Sequence, residues 1–137
     1  MGAAATHFRA MGSDVHVLVV GGPPALPDLA RELVEALEAR WSRFRPDSEV
    51  SRLNQQAGRP VRVSPETLTL VRRAVDGAAA TAGRYDPTVL GAVLRAGYDR
   101  SFELLAADPP PGRSPLGPGW RRIAVDAARS TVTLPAG

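Results

Sequence analysis

Between residues 14 and 41 the hydrophobic period of the chain changes once, from two to about four, across a stretch that neither a strand nor a helix can absorb. Val15, Val17 and Val19 alternate with Asp14, His16 and Leu18, the pattern of a half-buried strand. Residues Thr6 to Val20 are therefore expected to be extended, as two strands or one bulged strand interrupted at Gly12-Ser13. "GGPPALP" then breaks the chain. After it Leu29, Leu33, Leu37 and Trp41 recur every four residues with charges between them, which predicts a helix presenting that stripe to the core. A strand pair followed directly by an amphipathic helix restricts the fold to classes that pack helices on sheet.

The rest of the chain extends the pattern. In "RFRPDSEVSRLNQQAGRPVRV", Pro46, Asp47 and Ser48 are turn and cap residues before one turn of helix, and Gly58 and Pro60 end it. Val61 and Val63 predict a short strand. Ser64 is an N-cap and Pro65 a first helical residue, opening a helix whose inward stripe is Leu68, Val71, Val75 and Ala78 to Ala79 and whose terminator is Gly83. "TVLGAVLRAGYD" predicts another short helix with Val89, Val93 and Ala96 inward. "AADPPPGRSPLGPG" is too rich in proline and glycine for regular structure and is expected to be a surface excursion. Strands around Ile123 to Val125 and Thr131 to Leu134, joined by a polar turn, make a hairpin. The order gives an α+β fold, a mixed or antiparallel sheet with flanking helices, in one domain over residues 1–137.

Composition removes several chemistries. All 17 basic residues are arginine, so no lysine Schiff base or P-loop lysine is available. Cysteine is absent, which removes disulfides, thiolate nucleophiles and cysteine metal sites. The net charge of +3 is mild, and the arginines are interspersed with carboxylates, so a nucleic-acid partner is not expected. No stretch approaches the roughly 18 apolar residues of a membrane span, and the first residues lack a signal-peptide pattern. As given, the chain is expected to be cytoplasmic, with export of a longer precursor left open.

Three phrases could carry chemistry. In "GRYDPTV", Gly83 ends a helix, Asp86 is pushed toward extended geometry by Pro87 and can cap the helix that Pro87 opens, and Tyr85 could be core or a stacking surface. In "RFRPDSEVSRLN", Ser48, Ser51 and Asn54 recur at three-residue spacing and could offer hydroxyls and an amide to a ligand, or be a capped turn with surface polarity. Phe44, within it, could be core or a ligand platform. In "AMGS", Gly12 allows close backbone approach or a bulge. Neither His7 nor His16 has a partner at metal-ligand spacing, and both are read as structural. No Ser-His-Asp constellation can be nominated, and no catalytic residue is named.

The order and separation of "FRAMGS", "WSRFRPDSEVSRLN", the "VSPE" helix start and "TAGRYDPTV" resemble the ApbE family of FAD:protein FMN transferases over residues 6 to 134, with 105–119 a variable insert. The resemblance implies an ApbE-like α+β domain. It also implies an enzyme that cleaves the pyrophosphate of FAD with magnesium, transfers FMN to a threonine or serine hydroxyl of a target flavoprotein and releases AMP. Carried over by position, Met11 lies at the flavin and Phe44 takes the place of an aromatic at the isoalloxazine. Asn54 stands beside the nucleotide, and Arg84, Tyr85 and Asp86 form an FAD-contacting segment. The family's later lysine-glycine segment and its magnesium ligands have no counterpart here. They are expected beyond Gly137, the chain being the N-terminal half of such a domain, inactive alone and with apolar surface exposed where its other half packs. An FAD-binding or FAD-hydrolysing relative, or a non-catalytic α+β interaction module, stays open as an alternative.

Overall fold

The computed structural model describes residues 2–100 and 119–136. Apart from Gly119, the expected excursion and variable insert fall outside the described residues.

β1 (Ala3–Ala10) and β2 (Ser13–Val20) pair antiparallel with Ala10 opposite Ser13, leaving Met11 and Gly12 as a two-residue loop. Both have positive φ, 52° and 72°, the geometry of a type I′ turn, which follows the right-handed twist of the strands. The interruption at Gly12 is thus a hairpin rather than a bulge, and the first strand starts three residues earlier than expected. His7 and His16 are cross-strand partners on the outer face, their rings stacked with centroids 3.8 Å apart and 17° between planes.

α1 (Leu26–Trp41) covers the other face of this hairpin, withdrawing Pro27, Ala30, Val34, Leu37 and Trp41 from solvent. The predicted stripe is only half right, because Leu29 and Leu33 are 56% and 59% exposed. At 3.6 residues per turn, a spacing of four advances about 40° per step. The row that points inward at Trp41 has rotated outward by Leu33 and Leu29.

α2 (Glu49–Gln55) begins at the N-cap Ser48, whose hydroxyl accepts from the Ser51 N–H at 3.0 Å and donates to the Ser42 carbonyl at 2.6 Å. β3 (Val61–Arg62) leads into α3 (Pro65–Ala80), capped by Ser64 with Pro65 in its first turn. α4 (Leu90–Arg95) follows. β4 (Ala124–Asp126) and β5 (Thr131–Thr133) form the expected hairpin, and the second sheet has the order β3-β5-β4, all antiparallel. Its core is Leu53, Val61, Val63, Leu68 and Val132, flanked by Val71, Ile123, Val125 and Leu134. Ala79, expected inward, is exposed, while Thr67 is completely buried. The described residues therefore form an α+β arrangement of two small antiparallel sheets and flanking helices rather than one sheet. Among them no helix is long and apolar enough to cross a membrane.

Candidate functional site

The "GRYDPTV" phrase folds as a capped reversal at the end of α3. Gly83, at φ 79°, donates its N–H to the Ala78 carbonyl at 2.8 Å, the left-handed termination that glycine favours. A Cβ there would lie 3.2 Å from the indole nitrogen of Trp120. The Tyr85 N–H donates to Thr81 Oγ1 at 3.0 Å, and the tyrosine ring runs beside Gly77, 3.4 Å from where a Cβ would stand. Asp86 Oδ1 accepts from both the N–H and the hydroxyl of Thr88, at 2.8 and 2.6 Å. This carboxylate is a cap, but of a turn: Pro87 and Thr88 precede α4, which starts at Leu90 with Val89 as its uncapped first boundary. The expectation that Pro87 opens a helix is corrected accordingly. Proline fixes φ for a turn as well as for a first helical residue.

A cleft of about 870 Å3 lies elsewhere, at the first half of α3. The hairpin turn contributes Met11, the C-terminal end of α1 contributes Glu38 and Trp41, and the loop after it contributes Arg43, Phe44 and Arg45. Leu70 comes from α3, and Tyr98 and Arg100 close the far side. Each part is fixed by local structure. The Met11 N–H donates to Glu38 Oε1 at 2.8 Å, tying the hairpin turn to α1. Arg43 lies over the ring of its neighbour Phe44, 4.2 Å from its centroid, a cation-π contact within one wall, and its hydrogen bond to the Tyr98 carbonyl at 2.6 Å ties that wall to the other.

The cleft is apolar and aromatic inside, with guanidinium groups around it. Arg100 is neutralised by Asp99, to which it donates at 2.7 and 2.9 Å; those hydrogen bonds hold the Asp99 carboxyl below the usual range. Arg45 reaches Asp47 only at 3.8 Å, a distance at which an exposed pair contributes little. Arg43 and Arg45 bring positive charge to the cleft, offset in part by the Glu38 carboxylate on its wall, and its aromatic residues suit a planar ring.

Behind the cleft is a partly buried polar network around the fully buried Thr67. Glu49 Oε1 accepts from the Ser64 N–H at 2.8 Å, and Oε2 accepts from the Ser64 hydroxyl at 2.7 Å and from the Thr67 hydroxyl. Thr67 Oγ1 in turn accepts from the Trp41 indole N–H at 3.1 Å. Burial alone would raise the Glu49 carboxyl, but the hydrogen bonds from Thr67 and Ser64, aided by Arg52 at 3.7 Å, hold it below the ordinary glutamate range.

Of the six residues singled out from the sequence, the structure brings Met11 and Phe44 together in the cleft. Asn54 is half-buried on α2, and Arg84, Tyr85 and Asp86 sit at the other end of α3; none of these four lines the cleft. Trp41, read as core, and Arg43, Arg45, Tyr98 and Arg100 are cleft residues that sequence reasoning missed. The alternation of aromatic and basic residues in "WSRFR" is the available signal. Among the described residues no group of three or more His, Cys, Asp or Glu side chains could hold a metal ion.

The described residues form an α+β domain with an aromatic-lined cleft edged by arginine side chains. The sequence model of the ApbE family matches residues 11–134, and the chain belongs to that family. The fold resembles three solved structures, with this chain covered to 98% in each case. They are the ApbE protein of Thermotoga maritima (TM-score 0.83, 22% identity, 45% of its length), the flavin transferase ApbE of Vibrio cholerae in its H257G form (0.73, 22%, 48%) and the flavinyl transferase ApbE of Pseudomonas stutzeri (0.71, 21%, 47%). The chain therefore spans less than half the length of each of these proteins. No curated protein matches it.

Proposed function

We propose that this chain carries the flavin side of an FAD:protein FMN transferase site. The observation that carries the reading is the cleft in which Met11, Trp41, Phe44 and Tyr98 face a volume of about 870 Å3 edged by Arg43 and Arg45. A flavin is planar and apolar at its ring and anionic at its phosphates, so the aromatic residues hold the ring and the guanidinium groups the charge. Membership of the ApbE family and the likeness to proteins described as flavin transferases support the same ligand.

In the proposed reaction a threonine or serine oxygen of a target flavoprotein attacks the FMN phosphorus of FAD. The phosphoanhydride bond to AMP breaks, AMP leaves, and the hydroxyl proton is lost. This chain's residues bind and orient FAD, with Asn54 beside the nucleotide and Arg84, Tyr85 and Asp86 as an FAD-contacting segment, the roles that the family resemblance implies. Magnesium would neutralise the pyrophosphate charge in that reaction; the described residues offer no ligand set that fits it.

A fluorescence titration of FAD with the chain, with and without magnesium, tests the reading. Saturable quenching that does not depend on magnesium is expected. Absence of binding to FAD in both conditions would refute the assignment of the cleft.

A further inference from the structure

The Glu49 network lies outside the cleft, and only one of its members, Trp41, reaches the cleft wall. Trp41 is the last residue of α1, where the helix ends and the loop bearing Arg43 and Phe44 begins. Thr67 is fully buried, accepts from the indole N–H and donates its own proton to the carboxylate. A hydroxyl that donates to an anion becomes a better acceptor, so the two hydrogen bonds reinforce one another. Ser64 adds two further hydrogen bonds to the carboxylate, and no buried side-chain polar atom among the described residues is left without a partner.

We propose that Glu49 is a positioning residue for the cleft, fixing the Trp41 indole in the wall by acting through Thr67. The carboxylate holds the starts of α2 and α3 together and directs the Thr67 hydroxyl, whose oxygen then holds the indole nitrogen. The position of the indole in the wall is thus set by a carboxylate that does not itself line the cleft. The positioning claim stands on the network itself; its effect on affinity rests on the flavin reading above.

The chain has only two tryptophans, Trp41 and Trp120, so a 15N-labelled sample gives two indole N–H signals, and Trp120→Phe assigns them. Thr67→Val removes both hydrogen bonds, Thr67→Ser keeps them, and Glu49→Gln replaces the anionic acceptor with an amide. The Trp41 indole signal should shift and its exchange with solvent quicken in Thr67→Val and Glu49→Gln, with Thr67→Ser close to wild type. FAD titrations of the same proteins should show affinity roughly three- to tenfold weaker in the first two, the effect of losing one or two ordinary hydrogen bonds. If Thr67→Val does not fold, Glu49→Gln against Thr67→Ser decides. An unmoved Trp41 signal in Glu49→Gln overturns the proposal, as does a moved signal with unchanged FAD affinity. Wild-type protein that fails to bind FAD refutes the flavin reading alone, and the indole signal still decides the relay.

Discussion

Met11 occupies the first central position of a type I′ turn at φ 52°, a conformation that costs a residue with a Cβ about 1 kcal/mol or more and that asparagine tolerates better. Its side chain is 54% exposed, so little burial is lost on replacing it. The hydrogen bond to Glu38 comes from the backbone N–H and survives any substitution except proline. Met11→Asn should therefore stabilise the chain by about 1 kcal/mol, the strain relieved. With a urea dependence of about 2 kcal/mol per molar, the midpoint of unfolding should rise by about 0.5 M with an unchanged slope. Circular dichroism during urea titration measures both. In the proposed reading the same change removes the thioether from the cleft and weakens FAD binding, so stability and affinity move in opposite directions. A midpoint that stays constant or falls would refute the reasoning, showing that the methionine is held by packing that outweighs the backbone strain.

Two further outcomes rest on particular contacts. Because the Glu49 carboxyl is held below its ordinary value, its contribution to stability is complete above the unfolded glutamate range, about pH 4.3. It is lost as pH falls through the lower, folded value. Glu49→Gln should show a weaker loss of stability with acidification than wild type, measured by thermal unfolding from pH 7 to 3; parallel curves would count against the assignment. Asp99 and Asp126 titrate in both proteins and cancel in the comparison. At Gly119 a Cβ would stand 2.5 Å from Thr88 Oγ1 and 3.1 Å from Thr88 Cβ, so Gly119→Ala should cost roughly 1–3 kcal/mol. Thr88→Ala should recover part of that loss in the double variant, and strict additivity by urea unfolding would argue that the two residues do not meet.

The parts of the fold legible in the sequence are those set within a few residues. Ser48 and Ser64 announce their helices because a hydroxyl needs only the next turn's N–H to cap it, and Gly83 marks the end of α3 by the conformation that only its lack of a Cβ makes easy. Leu29 and Leu33 mislead because a spacing of four suggests one face, while the helix turns the row out of the core over its length. The cleft is harder to read. Met11, Trp41 with Phe44, Leu70 and Tyr98 come from four separate stretches, and their meeting depends on how the hairpin, α1 and α3 pack. Met11 and Phe44 are reached through family resemblance. The leucine row draws Trp41 into the core, although its indole serves both core and cleft. Asp86 is half legible: its capping role is readable from the proline beside it, but what it caps is a turn through Thr88 and not a helix.

α3 also acts as a ruler. Leu70 lines the cleft, and Gly77 carries the ring of Tyr85; seven residues apart, they share one face of the helix about 10 Å from each other. A ligand that touches both Leu70 and the Tyr85 ring must therefore reach about 10 Å along α3, two helical turns. A ligand confined to the Leu70 end of the helix does not meet that reach, whereas one with a second group to place at the Arg84–Asp86 turn does. The spacing of two small features on one helix thus becomes a length requirement on whatever binds.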